Sequence, residues 1–548
     1  MFDHTRYRPA PAIKMVNRQW PNQTIQHAPI WCAVDLRDGN QALIEPMSVT
    51  QKQTMWRLLV DMGFKEIEVG FPSASQADFD FVRWLIDAQQ IPDDVTIQVL
   101  VQARDSLIER TFEALEGIQQ AIVHVYNSTS ATQRDKVFNL DQQGIINIAI
   151  AGAKKVQAES QKYPASRWTF EYSPESFSNT EVDFAVDICN AVMDVWQPSE
   201  ARKAIINLPA TVESATPNVF ADQVESFCQH IRHRQHIIIS IHTHNDRGCA
   251  VAAAELAILA GADRIEGTLM GNGERTGNMD IITMAMNLYS QGIDPQLDMS
   301  DARRITRTVQ DCTQIPTHPR HPWVGELVYT AFSGSHQDAI KKCLAQQQPN
   351  ASWDVAYLPI NPQDLGRDYQ SVIRINSQSG KGGVAYILEN EFGVILPRWG
   401  QIEMSQAVQA YSEKKQKEVS AQDIFAIFTE RFTHNSRPYA LGGYQISAGS
   451  EETIEATLNT RDGSIIIGAQ GSGTISAFCN ALNRHFGVTI DIIQYDQITQ
   501  GCHTDAQARA FVQMTIDGAT FTASAMQQDS LAASLNAILS ALNQHLEG

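Results

Sequence analysis

Residues 236–244 read HIIISIHTH, and Asn245 and Asp246 follow directly. A nearly unbroken apolar run ends in two imidazoles two positions apart. Side chains two apart on a strand share a face, so His242 and His244 point the same way. An apolar run with no alternation marks a strand covered on both sides, as in a parallel sheet wrapped by helices. Seven more runs of this kind precede or follow it: WCAVDL (31–36), EIEVGF (66–71), TIQVLV (96–101), AIVHVY (121–126), WTFEYS (168–173), AIINLP (204–209) and RIEGTL (264–269). Segments with helical spacing separate them, among them SVTQKQTMWRLLVDMGF and VFADQVESFCQHIRHR. Eight strand–helix units in about 250 residues predict a closed (β/α)8 TIM barrel. A doubly wound open sheet is the alternative, disfavoured because no G-x-G-x-x-G follows the first strand.

A barrel of this kind carries its chemistry at the C-terminal ends of its strands. Those ends read DLRDGNQ, GFPSAS, HVYNSTS, EYSPESFS, LPATVE, HTHNDRG and GTLMGNGERTGN. The polar, glycine-rich and histidine-rich punctuation gathers at one rim.

Beyond the barrel, placed at residues 1–295 with an N-terminal extension, residues 296–425 read as helical connecting subdomains. Residues 426–548 show two βββα repeats, an α+β domain with internal pseudo-twofold character. This tail carries no acid–base cluster and reads as a binding or dimerisation module.

Hydrophobic residues make up 43% and charged residues 19% of the 548-residue chain, a globular composition. A formal net charge of -19 repels nucleic-acid phosphates and anionic lipid, so neither is an expected partner. The eight cysteines form no C-x-x-C pair and read as reduced thiols of a cytoplasmic protein. The first twenty residues show no apolar core of a signal peptide, and no run of about 18 apolar residues is present.

H-x-H alone is as readily a pair of strand-end histidines making ordinary hydrogen bonds. Asp38, at the end of the first strand, changes the balance, since one carboxylate and two imidazoles leave positions open on a divalent metal for substrate oxygens and water. Asn278 in GNGERTGN offers a further, weaker oxygen. Arg37 beside such a metal would face a developing oxyanion. Glu175 is a strand-end carboxylate suited to acid–base or positioning work. His124 and Tyr126 share a face, and Thr211 could donate its hydroxyl to a carboxylate substrate. Each of these residues taken singly fits a structural role; their common rim is the argument. GAQGSGTISAF (468–478) follows a strand and opens a helix, but it lacks the lysine of a P-loop.

LRDGNQ, EVGFPSAS, HVYNSTS, FEYSPESFS, LPATVE, SIHTHNDRG and GNGERTGN, with AFSGSHQDAI and YLPINPQDLGR further on, resemble the motifs of the 2-isopropylmalate synthases, in the longer form with a regulatory tail. The barrel motifs alone resemble the wider group of metal-dependent acyl-CoA Claisen enzymes, homocitrate and citramalate synthases among them. The resemblance implies acetyl-CoA and 2-oxoisovalerate as substrates. It implies a divalent metal (Mg2+, with Mn2+ or Zn2+ as alternatives) on Asp38, His242 and His244 with Asn278 close by, and K+ as an activator. It implies an oxo-acid pocket lined by His124, Tyr126, Ser173, Glu175 and Thr211. It further implies a homodimer in which His336 and Tyr357 reach the neighbouring subunit's site, and leucine as an allosteric inhibitor. The tail's glycine turns, Gly468, Gly471 and Gly473 with Gly501, are the expected leucine site. The wall near EVGFPS is expected to lack an added Arg or Lys, which favours a branched apolar oxo acid over 2-oxoglutarate. A sister synthase using another 2-oxo acid, or an amino-acid sensor without chemistry, are the alternative functions.

Overall fold

The computed structural model describes residues 10, 11, 13, 15, 17–331, 333–349, 351–367, 381–415, 419–433, 438–447, 449–500 and 507–547. The chain divides into two compact units, residues 1–328 with 362–367, and residues 329–361 with 368–548.

The first unit is a closed barrel of eight parallel strands in chain order. They are β1 (Ile30–Ala33), β2 (Glu66–Gly70), β3 (Thr96–Gln102), β4 (Gln120–Ser128), β5 (Arg167–Glu175), β6 (Ala204–Ala210), β7 (Ile237–Thr243) and β8 (Arg264–Gly267). Closure is set by β1, which pairs with β2 through Cys32–Glu66 and with β8 through Ile30–Arg264. Every residue of β6 is buried, as expected of a strand packed between barrel interior and helices. The helices are started by local chemistry. Ser48 and Gln51 cap each other at the head of Val49–Met62, and Gly63 ends that helix in the left-handed region.

β1 stops at Ala33, three residues short of the apolar run WCAVDL. Residues 35–39 wind instead into one wide helical turn, closed by a hydrogen bond from the Gly39 amide to the Val34 carbonyl five residues back. β8 likewise stops at Gly267, two residues before its run ends.

The second unit contains helices Gly334–Gln346, Lys381–Phe392, Arg398–Lys415 and Ala421–Phe432. After them come β9 (Ala440–Ser447), β10 (Glu452–Thr460) and β11 (Gly463–Gly471), then helix Thr474–Phe486. The pattern repeats as β12 (Ile490–Gln500), β13 (Gln507–Ile516) and β14 (Ala519–Gln527), then helix Ser530–Glu547. Both sheets are antiparallel, in orders β11-β10-β9 and β12-β13-β14. The two βββα repeats of the sequence share one core, in which Ile454, Leu458, Phe478 and Leu482 of the first meet Val512, Met514, Ile538 and Leu542 of the second. No helix among the described residues is long and apolar enough to cross a membrane.

Candidate active site at the barrel rim

The wide turn after β1 brings Arg37 and Asp38 to the rim together, whereas a strand continued through 38 would have sent them to opposite faces. At the end of β7, His242 and His244 stand side by side, ring centroids 5.0 Å apart. Asp38 Oδ2 lies 3.5 Å from His242 Nε2 and 3.6 Å from His244 Nε2. The three ligand-type atoms all fall within 4.8 Å of one another, and all three residues are buried. Asp38 Oδ2 and His244 Nε2 have no hydrogen-bond partner, nor does the buried Asn278 Oδ1. Asn278 is pinned beside them by an isolated bridge to His244 and by a bond from its Nδ2 to the Asn272 carbonyl, 2.9 Å. Glycine is required in that loop at 277: φ is +102°, and a Cβ would sit 1.9 Å from the Gly271 carbonyl oxygen. Asp38 Oδ2 and His244 Nε2, buried, unsatisfied and close together, fit a cation, because each otherwise costs the desolvation of a polar atom.

Charge is managed closely here. Burial pushes the Asp38 carboxyl up, but Arg37 and the two imidazoles outweigh it and hold it well below the usual range. Burial pushes His242 down, and Asp38 and Glu266 outweigh it, raising the imidazole to about 9. Arg37 Nη1 donates to Asp38 Oδ1 at 2.6 Å and its Nε donates to Glu68. The guanidinium is thereby fixed at the edge of the site.

Beneath the rim lies a polar layer inside the barrel. Glu68, Gln98, Glu171, Asn207, Arg264 and Glu266 are all at most 2% exposed. Sequence reasoning missed them, although a signal was present. The apolar runs carry polar residues, Glu68 in EIEVGF, Gln98 in TIQVLV, Asn207 in AIINLP and both Arg264 and Glu266 in RIEGTL, and the strand period of two turns them inward. Glu68, His124 and Glu266 form a second group with metal-ligand spacing. That position is already filled: the Gln98 amide nitrogen lies 2.7 Å from Glu68 Oε2, 3.0 Å from Glu266 Oε1 and 3.2 Å from His124 Nδ1.

A cavity of about 760 Å³ opens above the rim, lined by Arg37, Asp38, His124, Tyr126, Ser173, Glu175, Thr211, His242 and His244. Thus the sequence-derived pocket residues of the barrel converge; Asn278 sits next to His244 but does not line the cavity. His124 Nε2 and Ser173 Oγ are 2.7 Å apart. Glu175 accepts from Ser128 Oγ, and Thr211 Oγ1 accepts the Ser176 amide at 2.9 Å. Burial, then the Glu175 charge, pushes the Tyr126 phenol up.

One expectation is corrected. The wall formed by Phe71, Ala74 and Ser75 does include a lysine, Lys52, contributed by the preceding helix and so invisible in the EVGFPS motif. Its ammonium is buried and paired with Asp78, whose other oxygen accepts the Phe71 amide at 2.8 Å. The cation is neutralised, so the wall offers no free charge to a second substrate carboxylate.

Asn245 and Asp246 hold the rim loops. Asn245 Oδ1 accepts the Ala250 amide at 3.1 Å. Asp246 accepts from the Glu213 amide at 2.9 Å and from Arg275 Nε at 2.6 Å, tying the loops after β6, β7 and β8 together.

The cavity is lined by residues of the first unit, whereas His336 and Tyr357 belong to the second, where their rings stack at 4.0 Å. Tyr357 is 59% exposed and adopts φ +66°. Gly468 and Gly471 are strand residues of β11 rather than turn residues, paired with Glu455 and Glu452. A Cβ at Gly471 would lie 2.3 Å from the Ala477 amide nitrogen, so glycine there lets the strand pass close under the helix. Gly473 caps that helix in extended conformation. Gly501 lies outside the described residues.

Three family models match the chain: HMGL-like over residues 28–309, alpha-isopropylmalate synthase post-catalytic domain-like over 326–389, and LeuA allosteric (dimerisation) domain over 418–546. A 2-isopropylmalate synthase of Alcanivorax borkumensis is 52% identical over 100% of this chain and 98% of its own length. Synthases of the same name from Paraburkholderia phytofirmans and Ralstonia nicotianae are 51% and 49% identical, each over 98% of this chain and 94% of the relative.

Proposed function

The chain belongs to the 2-isopropylmalate synthase family, and on that premise we propose that its rim cavity condenses acetyl-CoA with 2-oxoisovalerate and water, giving 2-isopropylmalate and CoA. The observation that carries this reading is the clustering of Asp38, His242 and His244, whose ligand-type atoms lie within 4.8 Å of one another, with Asp38 Oδ2 and His244 Nε2 buried and without partners. Mixed carboxylate, amide and imidazole donors suit a divalent ion; Mg2+ is the proposed resident, with Mn2+ and Zn2+ compatible with the same donors. The bound ion would supply Lewis acidity to the 2-oxo group of the substrate.

The protein's own groups do the rest. Arg37, held by Asp38 and Glu68, presents its charge to the oxygen that becomes an alkoxide as the new carbon–carbon bond forms. His124, Ser173 and Thr211 bind the oxo acid, with Tyr126 and Glu175 closing the pocket beside them. A proton leaves the acetyl methyl before attack, and water cleaves the thioester afterwards. His336, stacked on Tyr357, is proposed to serve this proton traffic from the neighbouring subunit of a homodimer. Leucine is proposed to inhibit through the tail, binding near Gly473 and Gly501, and K+ to activate. The proposed division of labour is residues 1–295 for chemistry, 296–425 for connection and 426–548 for regulation, in a cytoplasmic enzyme.

A steady-state screen of 2-oxo acids with acetyl-CoA, following thiol release, tests the substrate. The highest kcat/KM is expected with 2-oxoisovalerate. Best turnover on pyruvate or 2-oxoglutarate would replace this reading with that of a citramalate or homocitrate synthase.

A further inference from the structure

We propose that Gln98, in the middle of β3 and below the rim, is a positioning residue that fixes the tautomers of two site imidazoles, His242 and His124, through the carboxylates of Glu266 and Glu68. The proposal rests on the metal-site reading above for the consequence at His242.

The orientation of the Gln98 amide follows from its neighbours. Arg264 Nη2 lies 2.6 Å from Gln98 Oε1, and a guanidinium can only donate, so that atom is the oxygen. The amide nitrogen must then face Glu68 Oε2 and Glu266 Oε1, at 2.7 and 3.0 Å, and its two hydrogens are used on these two carboxylates. None remains for His124 Nδ1, although that atom is 3.2 Å away. His124 Nδ1 therefore carries its own hydrogen and donates it to Glu68 Oε2, 3.1 Å away. Its Nε2 is left as an acceptor, and Ser173 Oγ, 2.7 Å distant, donates to it.

The same logic runs along the other arm. Glu266 accepts Gln98 and Arg264 Nη1 on Oε1, and Asn207 Nδ2 on Oε2 at 3.2 Å. A carboxylate accepting this many donors has no hydrogen to give, so His242 Nδ1, 2.9 Å from Oε2, donates. With Nδ1 held by Glu266, Nε2, which faces Asp38, is the nitrogen left to bind a cation once that cation displaces its proton. His244 reaches the same state by another route, with Nδ1 facing the Ala210 carbonyl at 3.4 Å. One buried amide, bridging two carboxylates, thus orients one histidine of the metal site and one of the substrate pocket.

The test combines 15N spectra of histidine-labelled protein with Mn2+ titration. Signals are assigned by their loss in His124→Gln and His242→Gln. In the wild-type enzyme saturated with Mg2+, both rings are expected as Nδ1–H tautomers; an Nε2–H tautomer at either overturns the proposal. Gln98→Met keeps the length of the side chain and removes the bridge. Its folded form is expected to bind Mn2+ about 10- to 100-fold more weakly and to show a mixed tautomer population at His124. A folded Gln98→Met with wild-type Mn2+ affinity and wild-type tautomers overturns it as well. Should that variant not fold, the wild-type spectra still decide. Absence of saturable Mn2+ binding in the wild type would sink the metal-site reading instead, and the His124 spectrum, away from the cation position, would still judge Gln98.

Discussion

The Glu171 carboxylate lies 3.6 Å from the Arg264 guanidinium, yet neither of its oxygens has a hydrogen-bond partner. Arg264 spends its donors on Glu66, Ser240, Glu266 and Gln98. Burial, and then the charges of Glu266 and Glu68 against that of Arg264, holds Glu171 well above the usual carboxylate range, whereas Glu266 is held well below it. The surroundings of Glu171 thus favour its neutral acid and those of Glu266 its carboxylate.

Glu171→Gln is therefore expected to fold and to retain most activity, and Glu266→Gln is not. The sign of the pH effect follows from linkage. A raised folded pKa means that the folded chain holds a proton which the unfolded chain loses, so this group's contribution is full below its unfolded pKa and fades as pH rises. Glutamine does not titrate. Thermal melts of wild type and Glu171→Gln should show the variant gaining on wild type as pH is raised from 5 toward 9 (about the span in which the free carboxyl is ionised). A difference that shrinks over that span would contradict a neutral Glu171.

Lys52 and Asp78 form a pair whose side chains are only 4% and 14% exposed. Removing one partner of such a pair strands the other, at a cost of about 3–5 kcal/mol. Lys52→Met is expected to lose stability of that order in urea denaturation, and Lys52→Met/Asp78→Leu to recover part of it. A loss below about 1 kcal/mol, the range of exposed pairs, would show that the pair is solvated.

The Arg275–Asp246 pair is different in kind, because Arg275 is 39% exposed. Its worth lies in placement: Arg275 Nη2 donates to the Thr211 carbonyl at 2.6 Å, and Thr211 lines the cavity. Arg275→Ala should change stability by less than about 1 kcal/mol while raising KM for the oxo acid. An unchanged KM would detach this latch from the pocket.

Gly471→Ala places a methyl against the Ala477 backbone, where no side-chain movement can relieve it. The substitution should unfold or loosen the tail while leaving the barrel intact, as limited proteolysis with mass spectrometry would reveal. Wild-type resistance of the tail would show that the strand–helix approach yields readily.

The barrel was legible because each strand is apolar nearly throughout, and His242 and His244 because the strand period puts them on one face. The tail's repeats were legible from their alternation. The wide turn at Asp35–Gly39 was not, since a five-residue backbone bond leaves no mark in side-chain periodicity. Arg37 and Asp38 consequently read as a turn or strand end, although their place at the rim was anticipated. Lys52 was hidden because the pocket takes it from a helix outside every rim motif. Gly468 and Gly471 read as a loop because glycine signals turns in a sequence, whereas here it serves close packing. The inner polar layer was overlooked because its members are scattered one or two at a time among the apolar runs.

Whether Asp38, His242 and His244 hold the divalent ion on which condensation depends is decided by Mn2+ binding to wild type, Asp38→Asn and His244→Ala, with folding checked by thermal melts. One saturable site per chain is expected in the wild type, lost in both variants together with thiol release from acetyl-CoA. Folded variants that keep wild-type Mn2+ affinity would contradict it.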